Sequence, residues 1–387
     1  MNPNVWWVIL FAAVIGHFGI NVAIYNRLNG LGLPRRMTKH IEHFFAVLAV
    51  LIPIAMLWMF RDTFWDMLQG RPNKTAIPSV LWYYGAFCLA SWIFLGIPWL
   101  LWRPIFGIEW IQAPRETEIV NVRDVTDHPL ALSIKCKLEC DLPLNQIFDL
   151  AIDKISLPVA GLPPALDGYR IAQFSDVHLT GDIHADFTKY VVQRATDWQP
   201  NMIALSGDVI DSQKCVSWLY DIFSPAQATD GCYFILGNHD TRIVNPADTR
   251  GEMERAGWID VSQKPVAREL AGVSSLIIGN EAPWFPLPDL GANEADFRVL
   301  LSHGPDQIHW ARKHDVHLMM AGHTHGGQGR LPLLGPILSP SLHGSRYASG
   351  DFYKAPTTLH VSRGLSGTHL LRINCRPQLS LLTLKAV

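Results

Sequence analysis

Three apolar stretches occupy most of the first 106 residues, at about Val5–Tyr25, Phe44–Phe60 and Val80–Trp102. A helix needs ~17–25 mostly apolar residues to cross a bilayer, and each stretch reaches that length. Trp6, Trp7, Trp82, Tyr83, Trp99 and Trp102 cluster near their ends, where amphipathic rings suit the headgroup level. A cleaved leader would carry positive charge before its apolar run, and Met1–Val5 has neither Lys nor Arg. Three such runs ahead of any strand pattern do not suit buried core helices. Residues 1–106 are therefore expected to be a transmembrane region of about three helices.

Basic residues in short loops set orientation. The first loop carries Arg27, Arg35, Arg36 and Lys39, and the second carries Arg61, Arg71 and Lys74. With three crossings the first loop and the C-terminal part share a side, to which Arg103 and Arg115 add. The bias predicts a multi-pass protein whose C-terminal domain is cytoplasmic. A different number of spans would invert that side.

Composition removes other classes. The formal net charge is -2, so no global basic field draws nucleic acid. The six cysteines form no C-x-x-C pair and read as reduced, buried thiols. A zinc site at Cys136 and Cys140 would lack a nearby Cys or His pair to complete it.

Residues 107–154 read as a linker or membrane-proximal segment, with a strand expected at Ala131–Cys140 and another near Ile152–Pro158. From about Tyr169 a rhythm sets in: short apolar runs, each ending in a polar motif. Tyr169–Phe174 leads into Asp176-Val177-His178. Met202–Ser206 leads into Gly207-Asp208-Val209-Ile210-Asp211. Cys232–Leu236 leads into Gly237-Asn238-His239-Asp240. Phe297–Leu301 leads into Ser302-His303-Gly304-Pro305. His317–Ala321 leads into Gly322-His323-Thr324-His325. Such runs read as buried strands. Phe187, Tyr190, Val191, Arg194 and Ala195 fall on a helical period between the first two, which gives a βαβ-type unit. Ligands of α/β sheets bind at the carboxyl ends of strands, where these motifs sit.

The motifs supply Asp176, Asp208, His178, His303, His323, His325 and Asn238. Nitrogen and oxygen donors without thiolate suit Mn, Fe, Zn or Co. Seven donors exceed one four-coordinate site and fit two adjacent sites if a carboxylate bridges. Two metals ~3.5–4 Å apart supply a nucleophile at neutral pH and neutralise phosphoryl charge. His239 is the imidazole placed to protonate a leaving oxygen.

The chain from about Ile155 onward, roughly 60% of the whole, resembles the calcineurin-like metallophosphoesterase superfamily. The motifs D-V-H, G-D-V-I-D, G-N-H-D, S-H-G-P and G-H-T-H carry the resemblance. The lead-in Gly161-Leu162-Pro163-Pro164-Ala165-Leu166-Asp167-Gly168 and the run Gly322–Gln328 look like its YkuE-like bacterial branch. The resemblance implies an α/β fold over residues 155–387, a four-layer sandwich of two mixed β-sheets flanked by helices. It implies one metal at Asp176, His178, Asp208 and His325. A second would lie at Asp208, Asn238, His303 and His323, with Asp208 bridging. It implies His239 as general acid, with Asp211 and Asp240 orienting the ligands. The family's frequent Pro-Glu pair is Pro377-Gln378 here, which puts a peripheral contact in doubt.

The expected activity is hydrolysis of a phosphodiester or pyrophosphate bond at a bacterial inner membrane. Some membrane-bound relatives act on UDP-diacylglucosamine, so a lipid-linked nucleotide is the specific expectation. The alternatives are a broad envelope phosphodiesterase or phosphatase facing outward, and a non-catalytic scaffold. His184, His309, His314, His317 and His343 are read as ordinary core or surface histidines. Trp284, Phe285, Leu287 and Leu290, and the run Leu331–Leu342, are read as packed loops, with a lipid-facing lip as the functional alternative.

Overall fold

The computed structural model describes residues 3–69, 78–291, 294–367 and 369–387. The chain divides into two compact units, Met1–Ile108 and Glu109–Val387. In the first, three helices are long and apolar enough to cross a membrane: Trp7–Leu28, Arg35–Met59 and Ser79–Ile105. Small residues let such helices approach closely. A Cβ on Gly16 would lie 1.9 Å from the Cys88 carbonyl oxygen, so only glycine fits that crossing. His17 Nε2 reaches the Ala49 carbonyl at 2.9 Å, and its Nδ1 meets the Tyr84 hydroxyl. Arg71 and Lys74 lie outside the described residues.

The second unit is built on two mixed sheets. The strands are β1 (Arg115–Asn121), β2 (Asp149–Val159), β3 (Arg170–Phe174), β4 (Met202–Ser206), β5 (Cys232–Ile235), β6 (Ile259–Asp260), β7 (Val266–Leu270), β8 (Val273–Asn280), β9 (Phe297–Ser302), β10 (Leu318–Ala321), β11 (Arg330–Leu331), β12 (Gly335–Pro336), β13 (Gly350–Lys354), β14 (Thr357–Val361) and β15 (Gln378–Ala386). One sheet runs β1-β2-β15-β3-β4-β5-β6 and the other β13-β14-β10-β9-β8-β7. Strands β11 and β12 form a separate hairpin.

Apolar alternation explains the layers. Ile171, Met202, Ala204, Tyr233 and Ile235 face Ile277, Val299, Leu301, Leu318 and Met320 in a core between the sheets. The opposite faces are covered by helices. Ala185–Asp197 packs through Phe187, Val191, Val192 and Ala195, and Ile308–Lys313 through Ile308 and Ala311. Each fully buried side chain of this kind contributes ~1.5–3 kcal/mol, so the four layers rest chiefly on these faces. β3, β4 and β5 run parallel, as do β8, β9 and β10. Their carboxyl ends meet at one edge of the unit, because His303 after β9 hydrogen-bonds the Ser206 carbonyl that ends β4.

The segment 107–154 differs from a linker. It supplies β1 and the start of β2, which pairs in parallel with the C-terminal β15. The expected strand at Ala131–Cys140 is a helix, Ile134–Cys140. Ser133 caps it by accepting from the Cys136 amide, and the buried Cys136 and Cys140 stand four apart on its inner face. That stretch fits both periods, and the cap decides between them. The two thiols lie 3.4 Å apart and are free.

Candidate metal centre

Each motif follows its strand, and three of the five turn their side chains inward through unusual backbone. Asp176 (φ 53°), His178 (51°), Asp208 (53°), His323 (70°) and His325 (50°) all take the left-handed conformation. Non-glycine residues adopt it at a cost of ~1–2 kcal/mol each, which the surrounding hydrogen bonds must offset. The Asp176 amide donates to the Gly207 carbonyl and the His178 amide to the Asp208 carbonyl, both at 3.0 Å. The His323 amide donates to both oxygens of Asp176 at 3.0 Å. At Gly207 (φ 85°) a Cβ would lie 2.5 Å from His303 Nδ1, so the turn tolerates no side chain.

Three of the histidines are oriented alike. His178 Nδ1 donates to Asp211 Oδ2 at 2.7 Å, His303 Nδ1 to the Ser206 carbonyl at 3.1 Å, and His325 Nδ1 to the Ser366 carbonyl at 3.0 Å. A proton held on Nδ1 leaves Nε2 with its lone pair free. Those Nε2 atoms converge on carboxylates. His178 Nε2 is 3.5 Å from Asp208 Oδ2, His303 Nε2 is 3.3 Å from Asp208 Oδ1, and His325 Nε2 is 3.7 Å from Asp176 Oδ1. His303 Nε2 also lies 2.9 Å from Asn238 Oδ1 and 3.1 Å from His323 Nδ1.

His178 Nε2, Asp208 Oδ2 and His323 Nε2 are buried without a hydrogen-bond partner. Native proteins rarely leave such atoms unpaired, and a cation is what these acceptors lack. The donors group into Asp176, His178, Asp208 and His325, and into Asp208, His303 and His323. Within each group the ligand atoms lie within 4.8 Å of one another. The residues present therefore fit a metal ion, and Asp208 belongs to both groups.

Electrostatics follow from burial and pairing. Burial would raise the Asp208 carboxyl, but His303, His239 and His178 hold it well below the usual range. Burial lowers His303, and Asp208 more than reverses this, lifting it to about 9. Burial and neighbouring His303 push His323 down to about 3. Asp240 is raised to about 7, first by burial and then by Asp208. It accepts the amides of Gly237, Val209 and Ile210 at 2.7–3.1 Å and so ties together the turns that carry Asn238 and Asp208.

His239 packs edge-on against His178, with ring centroids 4.3 Å apart. Its Nδ1 is hydrogen-bonded to Asp211 Oδ1, and its Nε2 lies 2.6 Å from an Arg242 guanidinium nitrogen. Arg242 also donates to Asp211 at 2.6 Å. In this arrangement Nε2 is an acceptor.

Two arginines escaped the sequence reading. Arg242 stands three residues after His239, a spacing that offered a clue. Arg372 offered none. It is fully buried and donates to the carbonyls of Arg363 and Ser366 at 2.6 and 2.5 Å. The Ser366 carbonyl is the group that orients His325, so Arg372 holds that support in place. Gln378 donates to Asp153 at 2.7 Å and accepts the Arg363 amide at 2.9 Å, the peripheral contact left open by Pro377-Gln378. Trp284 packs on the rings of His303 and His323, at 5.2 and 4.7 Å. His184 caps the helix Ala185–Asp197 and joins His128 and Asp186 in a surface group.

Residues 169–327, which span all five motifs, match the calcineurin-like phosphoesterase family. The uncharacterized metallophosphoesterase YkuE of Bacillus subtilis is 32% identical over 237 residues, covering 58% of this chain and 82% of that protein. The chain belongs to the calcineurin-like phosphoesterase family. The Escherichia coli phosphodiesterase YaeI is 29% identical over 228 residues, covering 56% of this chain and 82% of its own length. The UDP-2,3-diacylglucosamine pyrophosphatase LpxG of Chlamydia muridarum is 23% identical over 284 residues, with 56% and 84% covered. This calcineurin-like phosphoesterase is a phosphoester hydrolase, and its clustered Asp and His residues could hold a metal.

Proposed function

We propose that the protein is a membrane-anchored, dinuclear-metal phosphoesterase that cleaves a pyrophosphate or phosphodiester bond in a lipid-linked nucleotide such as UDP-2,3-diacylglucosamine. The observation that carries the two-metal reading is Asp208, buried and common to both donor groups, with Oδ2 unpartnered. One ion, Mn, Fe or Zn, would be held by Asp176, His178, Asp208 and His325. The other would be held by Asp208, Asn238, His303 and His323. When bound, such a pair supplies a nucleophile at neutral pH and neutralises charge on the phosphoryl oxygens.

The chain's own groups do the rest. Asp211 keeps the proton of His178 on Nδ1, and Asp240 holds the Gly207–Asp208 and Gly237–Asn238 turns in register. His239 is the general acid for the leaving oxygen. For that role Arg242 has to leave Nε2, which happens when a phosphoryl oxygen takes over the guanidinium donors. Asp211 then retains the Nδ1 proton of His239, and the freed Nε2 takes up a second proton from solvent, which it delivers to the leaving oxygen.

The substrate reading is supported by the LpxG likeness and by three helices long enough to cross a membrane. The loop bias of Arg27, Arg35, Arg36 and Lys39 favours a cytoplasmic catalytic unit. The second reading is an outward-facing phosphodiesterase of broad specificity; the YaeI likeness supports its phosphodiesterase part. Purified full-length enzyme with Mn should hydrolyse both an aryl phosphodiester and UDP-2,3-diacylglucosamine. Turnover of the aryl ester alone would remove the lipid substrate and leave the second reading. A C-terminal reporter active only outside the cytoplasm would reverse the orientation.

A further inference from the structure

Behind Gly326, one residue beyond His325, lies a second polar recess. It is a cavity of about 370 Å³ whose walls include Arg115, Thr117, Asp153, Arg330, Arg363 and Arg376. Four guanidinium groups share it with one carboxylate, and protein donors already saturate that carboxylate. Asp153 accepts from Thr117 at 2.6 Å, Gln378 at 2.7 Å, Arg363 at 3.1 Å and Arg115 at 3.4 Å. Arg115 is further tied to Asp351 at 2.8 Å.

Arg330 and Arg376 are different. Among the described residues neither reaches a carboxylate. Arg330 donates to the Gly326 carbonyl at 2.8 Å and to the Ser349 hydroxyl. Arg376 Nε is buried without a hydrogen-bond partner. An unsatisfied buried donor is destabilising, more so when charged, so the recess is built to receive an anion. Guanidinium forks match phosphate oxygens in particular.

A second feature adjoins it. Arg330 opens the β11–β12 hairpin, whose tip residue Leu333 is fully exposed, with Leu331, Leu334 and Leu338 exposed beside it. The hairpin is fastened to the wall of the recess. Gly329 bridges to Ile373, and Asn374 donates to the Arg330 carbonyl at 3.2 Å. A leucine-tipped hairpin rooted beside arginines that reach no carboxylate among the described residues fits a phosphate that carries acyl chains. The three membrane-length helices of the same chain keep such molecules at high local concentration.

We propose that this recess is a headgroup site for an anionic phospholipid, separate from the metal centre, with Arg330 and Arg376 taking the phosphate and the hairpin leucines entering the acyl layer. The site does not depend on the catalytic reading, and its test is a binding measurement.

Full-length protein in neutral detergent, stripped of metal with a chelator, is titrated with dioctanoyl phosphatidylglycerol. Dioctanoyl phosphatidylcholine and inorganic phosphate serve as comparison arms. The expected result is one saturable equivalent of phosphatidylglycerol, weakened at least tenfold by R376Q and several-fold by L333S. Inorganic phosphate at equal concentration should not displace it. Hydrolysis of an aryl phosphodiester by the metal-loaded R376Q protein should match wild type, which checks its fold. R330Q gives a second reading of the same site. Unchanged binding in both arginine variants would overturn the proposal. Equal binding of phosphatidylcholine would do so too. Full displacement by inorganic phosphate would make the recess a free-phosphate site and reject the lipid.

Discussion

His178 Nδ1 donates to Asp211 Oδ2 at 2.7 Å, and this one carboxylate also receives His239 Nδ1 and Arg242. Burial alone would raise the Asp211 carboxyl, but the two imidazoles hold it far below its ordinary range. It is therefore a fixed anion that sets two tautomers at once. Asp211→Asn turns an amide NH2 toward one of the rings and forces its proton to the other nitrogen. Metal affinity or turnover should fall ~10–100-fold, the usual effect of losing such a support. Calorimetric titration with Mn and steady-state turnover of an aryl phosphodiester measure it. Wild-type values for both would show that Asp211 orients neither ring.

Asp208 carries the heavier burden, since both donor groups use it. Asp208→Asn should remove at least one of two bound Mn equivalents and abolish metal-dependent turnover. A ligand that binds only the folded state stabilises it by ~2.7 kcal/mol at a hundred times its Kd. Mn should therefore raise the melting temperature of the wild type clearly and that of the variant much less. Surviving turnover, or an equal thermal response, would refute the bridge.

The role of His239 can be separated from binding by the leaving group. A general acid is worth ~10²–10⁴-fold where the leaving oxygen is basic, and little where it departs readily as an anion. His239→Gln should cost at least a hundredfold in kcat on an alkyl phosphodiester and under tenfold on a nitrophenyl one. Equal losses on the two substrates would assign His239 to phosphate positioning instead.

The motifs of this centre were legible because each lies in a few consecutive residues after an apolar run. Strands β3, β4, β5, β9 and β10 were legible for the same reason. What sequence hides is support that arrives from far along the chain. Arg372 acts through backbone carbonyls, which leave no trace in side-chain identity. The left-handed φ of Asp176, Asp208 and His325 is likewise invisible, since these residue types carry no glycine signal. Strand β1 escaped because it is a polar edge strand, recognisable only beside β2. The helix at Ile134–Cys140 was misread because five or six alternating residues also satisfy a four-residue spacing.

Asp351 gives a prediction away from the metals. It accepts from Arg115 at 2.8 Å and from His360 at 2.6 Å, so it ties edge strand β13 of one sheet to edge strand β1 of the other. Burial would raise its carboxyl, but His360 and Arg115 hold it below the usual value. A carboxyl lowered on folding stabilises above its unfolded pKa of ~3.9, and that contribution is lost as pH falls through the folded value. Arg115 keeps 28% of its side chain exposed, so the pair is worth about 2 kcal/mol, between the exposed and buried limits. Asp351→Asn should therefore lower the melting temperature at pH 7, and the gap to wild type should close progressively below pH 4. Intrinsic-fluorescence melts of the detergent-solubilised chain from pH 7 to pH 3 measure both. A gap that persists undiminished at pH 3 would mean that the Asp351 charge contributes nothing and that packing alone sets the difference.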